Sequence, residues 1–180
     1  MEKITILDKT FRPFIPYEKL EKAIDDLAEK INLDYEGAED IPVLVCTLNG
    51  AIMFTAELMK RLKFQCELKC IKLSSYEGTK STGTVLTLLG LTGDVKGRRV
   101  IICEDIVDTG NTIIALQEML QSQGASEVRI CTMLLKPEVY DKPAKLDYVA
   151  MEIPNAFIVG FGLDYNELGR NYKDIYVLDK

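Results

Sequence analysis

The sequence predicts an α/β fold: an open, mainly parallel β-sheet flanked by helices, with a small hood lobe made by the chain ends. Strand-like and helix-like runs alternate along the chain. Several strand-like runs are apolar at successive positions, as in strands buried on both faces. No linker-like stretch and no internal repeat divides the sequence, so residues 1–180 read as one domain.

The elements follow in order. Tyr17 to Ile31 is an amphipathic helix: Tyr17, Leu20, Ala23, Ile24, Leu27, Ala28 and Ile31 recur with helical period, and charges fill the other face. Pro16 suits its first turn. Asn32 to Asp40 is a polar loop. Val43 to Thr47 is an apolar strand that Asn49-Gly50 punctuates, and Ala51 to Leu62 is a helix. Glu67 to Leu73 is a further strand. Ser74 to Gly83 has two glycines and no apolar pattern, so it is a loop, and Thr84 to Leu89 is a strand. Arg99 to Cys103 is an apolar strand and Asn111 to Gln123 a helix that Gly124 is placed to end. Val128 to Leu135, Tyr148 to Ile153, Phe157 to Gly160 and Ile175 to Leu178 complete the strands.

Composition excludes several chemistries. With 22 Lys+Arg against 28 Asp+Glu the net charge is −6, which disfavours bulk nucleic-acid binding, where clustered cations supply the affinity. Histidine is absent, which removes Ser-His-Asp triads, Cys-His dyads and His-ligated zinc. Five cysteines with no C-x-x-C, three of them inside apolar strands, read as reduced core thiols. No apolar run reaches the roughly 18 residues of a membrane span, and the N-terminus has no secretory stretch, so a cytoplasmic protein without a membrane partner is expected.

The most informative segment runs from Val100 to Thr112. An apolar strand leads into the acids Glu104 and Asp105. A turn follows, Asp108-Thr109-Gly110-Asn111-Thr112, and then a helix. In open α/β sheets ligands bind outside the carboxyl ends of the strands. A helix start there offers free N–H groups and partial positive charge to a phosphate. Gly110 permits close backbone approach, and Thr109 and Thr112 add hydroxyls. Glu104 and Asp105 are acceptors, suited to sugar hydroxyls or hydrated Mg²⁺. A phosphate at one end with diol or metal chemistry beside it describes a phosphorylated ribose. A bare D-T-G-x-T is more often a capped helix start; the strand, the acid pair and the turn together are much more specific.

The segment resembles the phosphoribosyl-pyrophosphate motif of type I phosphoribosyltransferases. From about Val43 to Leu178 the chain resembles the hypoxanthine(-guanine) phosphoribosyltransferases. The likeness also rests on Leu48-Asn49-Gly50-Ala51-Ile52-Met53-Phe54, Ser75-Tyr76, Ser81-Thr82-Gly83, Lys136, and Phe157 to Glu167 with Arg170. It implies transfer of a 5-phosphoribosyl group from phosphoribosyl pyrophosphate to N9 of a 6-oxopurine, hypoxanthine and guanine, in purine salvage. It implies that Asp108, Thr109, Gly110, Asn111 and Thr112 hold the 5′-phosphate, and that Asp108 takes the proton from purine N7. Glu104 and Asp105 lie beside the ribose and Mg²⁺, and Asp164 is a further Mg²⁺-linked carboxylate near the base. Lys136 donates to the purine O6, Phe157 stacks on the ring, and the Ile158 backbone meets its edge. Asn49, Gly50, Ser75, Tyr76 and Arg170 face pyrophosphate, and residues 74–83 form a mobile lid. A homodimer or homotetramer is also implied.

The chain departs from the family twice: Asn49 and Asn111 stand where many relatives carry Lys. The alternative is a non-enzymatic regulator of the same fold that senses phosphoribosyl pyrophosphate; it would need a basic face or an added DNA-binding domain. An ordinary doubly wound nucleotide-binding domain would carry G-x-G-x-x-G or a P-loop lysine, and neither occurs.

Overall fold

The structure, a computed structural model, describes residues 2–75, 85–91 and 93–179, with residues 74, 75 and 85–89 described by backbone alone. Its strands are β1 (Ile4–Ile6), β2 (Lys9–Ile15), β3 (Val43–Leu48), β4 (Glu67–Ser75), β5 (Val85–Leu89), β6 (Arg99–Val107), β7 (Glu127–Leu135), β8 (Tyr148–Glu152), β9 (Ile158–Val159) and β10 (Ile175–Leu178). Its helices are α1 (Tyr17–Asp34), α2 (Ile52–Met59) and α3 (Asn111–Ser122).

The main sheet has the order β5-β4-β3-β6-β7-β8. Five of its strands run parallel, and β5 is an antiparallel edge. Its central strands are buried along nearly their whole length, which is why they read as unbroken apolar runs. One face carries Val43, Val45, Ile71, Val100 and Ile102 against Ile113, Leu116 and Leu120 of α3. The opposite face packs Leu44, Ile101, Cys103 and Met133 against α1 and α2. Each such Leu or Ile contributes about 2 kcal/mol of apolar burial.

A second sheet, β1-β2-β10-β9, is entirely antiparallel and joins the two chain ends. It is the expected hood. Ile15, Ile158, Phe161 and Ile175 tie it to the core on the α1 side of the main sheet. Asp174, one residue before β10, accepts a bond from the Tyr17 amide at 2.8 Å and so fixes the start of α1. That amide has no partner within its own helix, and Pro16 at the cap offers no side-chain acceptor.

Several boundaries differ from the sequence reading. α1 continues to Asp34, into the stretch expected as loop, because buried Tyr35, whose amide donates to Ile31, continues the stripe of Leu27 and Ile31. α2 stops at Met59, and Arg61 and Leu62 donate to Leu58 and Met59 in tighter turns. β4 reaches Ser75, so Ser74 and Ser75 are strand residues and not loop; the rest of the expected lid, 76–83, lies outside the described residues. β6 extends through Glu104 and Asp105 to Val107, so the acid pair lies inside a strand and not at a solvated strand end. α3 ends as expected: Gly124, at φ 85°, donates to Gln121 while Ala125 donates to Leu120.

Candidate active site

The start of α3 is built to leave its amides free. Gly110 sits at the cap with φ 81° and ψ 0°, and no side chain caps the helix. Asp108 is therefore not a helix cap. The amides of the first turn face a cavity of about 100 Å³ lined by Glu104 and by residues 106–113. Only glycine fits position 110. A Cβ there would lie 2.6 Å from the Tyr140 ring, and Tyr140 is held by donation from its hydroxyl to the Ala144 carbonyl at 2.6 Å.

Asp108 is half exposed, and its carboxylate accepts from Lys136 Nζ at 3.1 Å. Lys136 follows β7 and is 8% exposed, so it is no ordinary surface lysine. Its backbone N–H donates to the Val107 carbonyl at 3.0 Å, which clamps the two strand ends side by side. The result is a paired acid and ammonium at the carboxyl edge of the sheet.

Glu104 and Asp105 are a coupled, buried pair. Glu104 Oε2 has no hydrogen-bond partner. Burial, then the neighbouring Asp105 charge, pushes the Glu104 carboxyl well above its usual range, while Thr47 beside it opposes that rise. Burial also raises Asp105, opposed by hydrogen bonds from Glu104 and the Ile106 amide and by the Arg170 charge. An orphaned carboxylate oxygen beside a second acid fits a hard divalent cation, which would take oxygen donors and remove the cost of the buried charge. Asp164 does not join them. Among the described residues no three acids or cysteines are grouped to hold a metal, so a cation at Glu104 and Asp105 would complete its shell from ligand and water.

The hood supplies an aromatic platform. Phe157, just before β9, is 46% exposed, although a Phe in an apolar run is by default a core residue. Its ring centroid is 6.1 Å from that of buried Phe11 on β2 and 5.8 Å, edge-on, from that of Tyr165. Tyr165 is held in turn by its hydroxyl, 2.8 Å from Asp8. Ile158 is buried on β9, opposite Val177 of β10.

A third group gathers at the end of β3. The Leu48–Asn49 peptide is cis, and Gly50 follows. A Cβ on Gly50 would lie 1.7 Å from Asp105 Oδ2, and one on Gly162 would lie 2.0 Å from the Gly50 carbonyl oxygen. The turn is thus wedged between the acid pair and the β9–β10 connection. Arg170 donates to the Gly162 carbonyl at 2.8 Å and pairs with Asp164 at 2.7 Å and Glu167 at 3.1 Å. Asn49, Gly50, Asp164 and Arg170 therefore cluster together. Ser75 is present by backbone only, and Tyr76 lies outside the described residues.

Sequence reasoning missed Thr47, Tyr140, Phe11 and Tyr165, which support the site from behind. Their signal is tertiary: Phe11, Thr47 and Tyr140 adjoin no site residue in the chain, and Tyr165, next to Asp164, is marked only by its packing on Phe11 and Phe157.

The family described as phosphoribosyl transferase domain matches residues 16–166 of this chain. A hypoxanthine-guanine phosphoribosyltransferase of Streptococcus thermophilus is 43% identical over 154 residues, 85% of this chain and 84% of that protein. A hypoxanthine-guanine-xanthine phosphoribosyltransferase of Tritrichomonas foetus is 35% identical over 181 residues, 99% of this chain and 97% of that protein. Among solved structures, a hypoxanthine phosphoribosyltransferase of Staphylococcus aureus superposes with a TM-score of 0.87 at 34% identity, over 93% of this chain and 91% of that one. One from Trypanosoma cruzi, in complex with the product IMP, gives 0.86 at 35% identity, over 93% and 94%.

Proposed function

The chain belongs to the phosphoribosyltransferase family and is an enzyme of purine salvage, a hypoxanthine-guanine phosphoribosyltransferase; from that premise we propose how its residues divide the work. The reaction moves 5-phosphoribosyl from phosphoribosyl pyrophosphate to N9 of a 6-oxopurine. The N9–C1′ bond forms, the bond from C1′ to the pyrophosphate oxygen breaks, and pyrophosphate leaves with that electron pair.

The observation that carries the reading is the Asp108–Lys136 pair beside an uncapped helix start. N7 and O6 lie on one edge of a 6-oxopurine. A base protonated at N7 presents there a donor beside an acceptor. A carboxylate and an ammonium 3.1 Å apart present the complement. Asp108 takes the N7 proton as N9 attacks, and Lys136 donates to O6. The amides and hydroxyls of Thr109, Gly110, Asn111 and Thr112 hold the 5′-phosphate next to them, which fixes C1′ relative to the base.

Phe157 stacks on the purine, with Phe11 and Tyr165 as its backing and the Ile158 main chain on the base edge. Glu104 and Asp105 face the ribose hydroxyls and would hold a Mg²⁺ ion, and Asp164 would serve as a further Mg²⁺-linked carboxylate. Bound there, Mg²⁺ would supply positive charge to the ribose and the departing diphosphate. Asn49, Gly50, Ser75, Tyr76 and Arg170 receive pyrophosphate, and the segment that follows β4 keeps water from C1′.

Hypoxanthine is the first substrate and guanine the second. The test is pyrophosphate release with Mg²⁺, phosphoribosyl pyrophosphate and hypoxanthine, guanine or xanthine in turn. Release with hypoxanthine and guanine is expected. Silence with both would overturn the reading, and xanthine as the best base would overturn the order. No helix among the described residues is long and apolar enough to cross a membrane. We place the protein in the cytoplasm as a homodimer or homotetramer, a state that sedimentation measures directly.

A further inference from the structure

We propose that Lys72 is a pyrophosphate-binding residue, and that it supplies from the neighbouring strand the side-chain cation that Asn49 does not. This rests on the reading that the turn at Asn49-Gly50 and Arg170 receives pyrophosphate.

The register is the first observation. β4 lies parallel to β3, and Lys72 stands directly opposite Leu48, the residue before Asn49. Side chains alternate across a strand. Ile71 packs into the core on the α3 side, so Lys72 emerges on the other face, the one that carries Leu44 and Cys103. Its ammonium therefore lies at the carboxyl end of the sheet, on the face where the Asn49-Gly50 turn meets Gly162.

The charge balance is the second. Arg170 is the cation expected to grip pyrophosphate, yet its guanidinium already serves three acceptors: Asp164, Glu167 and the Gly162 carbonyl. Asp105 lies against the same turn. Two acids, Asp164 and Glu167, thus share one guanidinium, so the arginine brings little net positive charge to an arriving diphosphate. Asn49 adds an amide but no charge.

The third observation links the groups. Glu167 pairs with Arg170 at 3.1 Å and its amide donates to Asp164 at 2.8 Å, while Gly50, next to Asn49, meets Gly162, whose carbonyl Arg170 holds. The register of β4 with β3 brings Lys72 to the same corner. Lys72 is only partly buried. A long, hydrated ammonium of this kind binds phosphate as a point charge, which suits a diphosphate that must arrive and leave.

The test compares four full-length proteins: the natural chain, Lys72→Met, Lys72→Met with Asn49→Lys, and Arg170→Met. For each, KM for phosphoribosyl pyrophosphate, inhibition by inorganic pyrophosphate, KM for hypoxanthine and the melting temperature are measured. Lys72→Met keeps the apolar stem and is expected to fold. It should raise KM for phosphoribosyl pyrophosphate and weaken pyrophosphate inhibition about tenfold, with KM for hypoxanthine changed less than about twofold. Asn49→Lys in the same chain should recover most of the loss, since it returns the cation to the adjoining strand; a purely structural role for Lys72 would not be rescued there. Unchanged diphosphate parameters in Lys72→Met, with a clear loss in Arg170→Met, would overturn the role of Lys72 alone. Unchanged parameters in both would overturn the assignment of the whole corner. Equal losses for hypoxanthine and the diphosphate ligands, or no rescue by Asn49→Lys, would also refute the proposal.

Discussion

At the end of β6 the contacts offered to a ligand are mostly main-chain: the uncapped amides of α3, kept open by a glycine that no other residue can replace. In the hood they are side chains: an exposed Phe157 propped by Phe11 and Tyr165. The first region grows from a strand buried on both faces, the second from short strands at the chain ends. The 5′-phosphate is the same whichever base reacts and can be met by a rigid backbone. A base varies by its substituents and is met by surfaces that substitution can reshape. The main sheet should therefore set whether the reaction runs, and the hood which base it runs on.

The sharpest way to break that division is Asp108→Asn. Turnover should fall by about 10²- to 10⁴-fold for hypoxanthine and guanine alike, with nucleotide binding and melting temperature nearly unchanged. Steady-state kinetics with both bases check it, and full activity would sink the proton transfer. Next comes Gly110→Ala. A left-handed alanine costs about 1–2 kcal/mol before the Tyr140 ring is moved, so affinity for phosphoribosyl pyrophosphate and for IMP should each fall about tenfold or more. Calorimetric titration of both ligands decides, and a loss for one alone would contradict a shared phosphate seat.

Phe157→Ala should be milder, raising KM for the base about fivefold to tenfold while phosphoribosyl-pyrophosphate binding stays within twofold. If both ligands suffer equally, the hood is not a separate base platform. The smallest effect concerns stability. Folding raises the Glu104 pKa, so the protonated form is favoured; its contribution is present below the ordinary carboxylate range and lost as pH rises through the raised value. Glu104→Gln should therefore raise the melting temperature of divalent-free protein by roughly 2–4 °C at about pH 8 and by nothing at about pH 4. It should also lower activity. Melting scans at the two pH values test the sign.

The same contrast decides what could be read from sequence. Val43 to Thr47, Arg99 to Cys103 and Val128 to Leu135 announce themselves because both faces of each strand are buried. Their ends do not, because Glu104 and Asp105 look like the solvated finish of a strand while they are in fact carried inside it. β1 and β2 were legible only as short elements near one end: Lys9, Thr10 and Arg12 interrupt the apolar pattern, and their partners are far along the chain. Asp108 to Thr112 could be read as a phosphate turn from local chemistry alone. Phe157, Lys136 and Arg170 could not, and stood out only through family likeness. Lys72 escaped because a lysine on a strand is ordinarily just the solvent side of the pleat.

The hood has one more consequence. β10, near residue 178, lies between β2 and β9 and pairs with both. The aromatic platform is thus closed by a strand that leaves the ribosome some sixty residues after the turn at Asp108 to Thr112. A nascent chain should acquire the proposed grip on sugar phosphate before the proposed one on a purine. Clipping β10 should release β2 and β9 together.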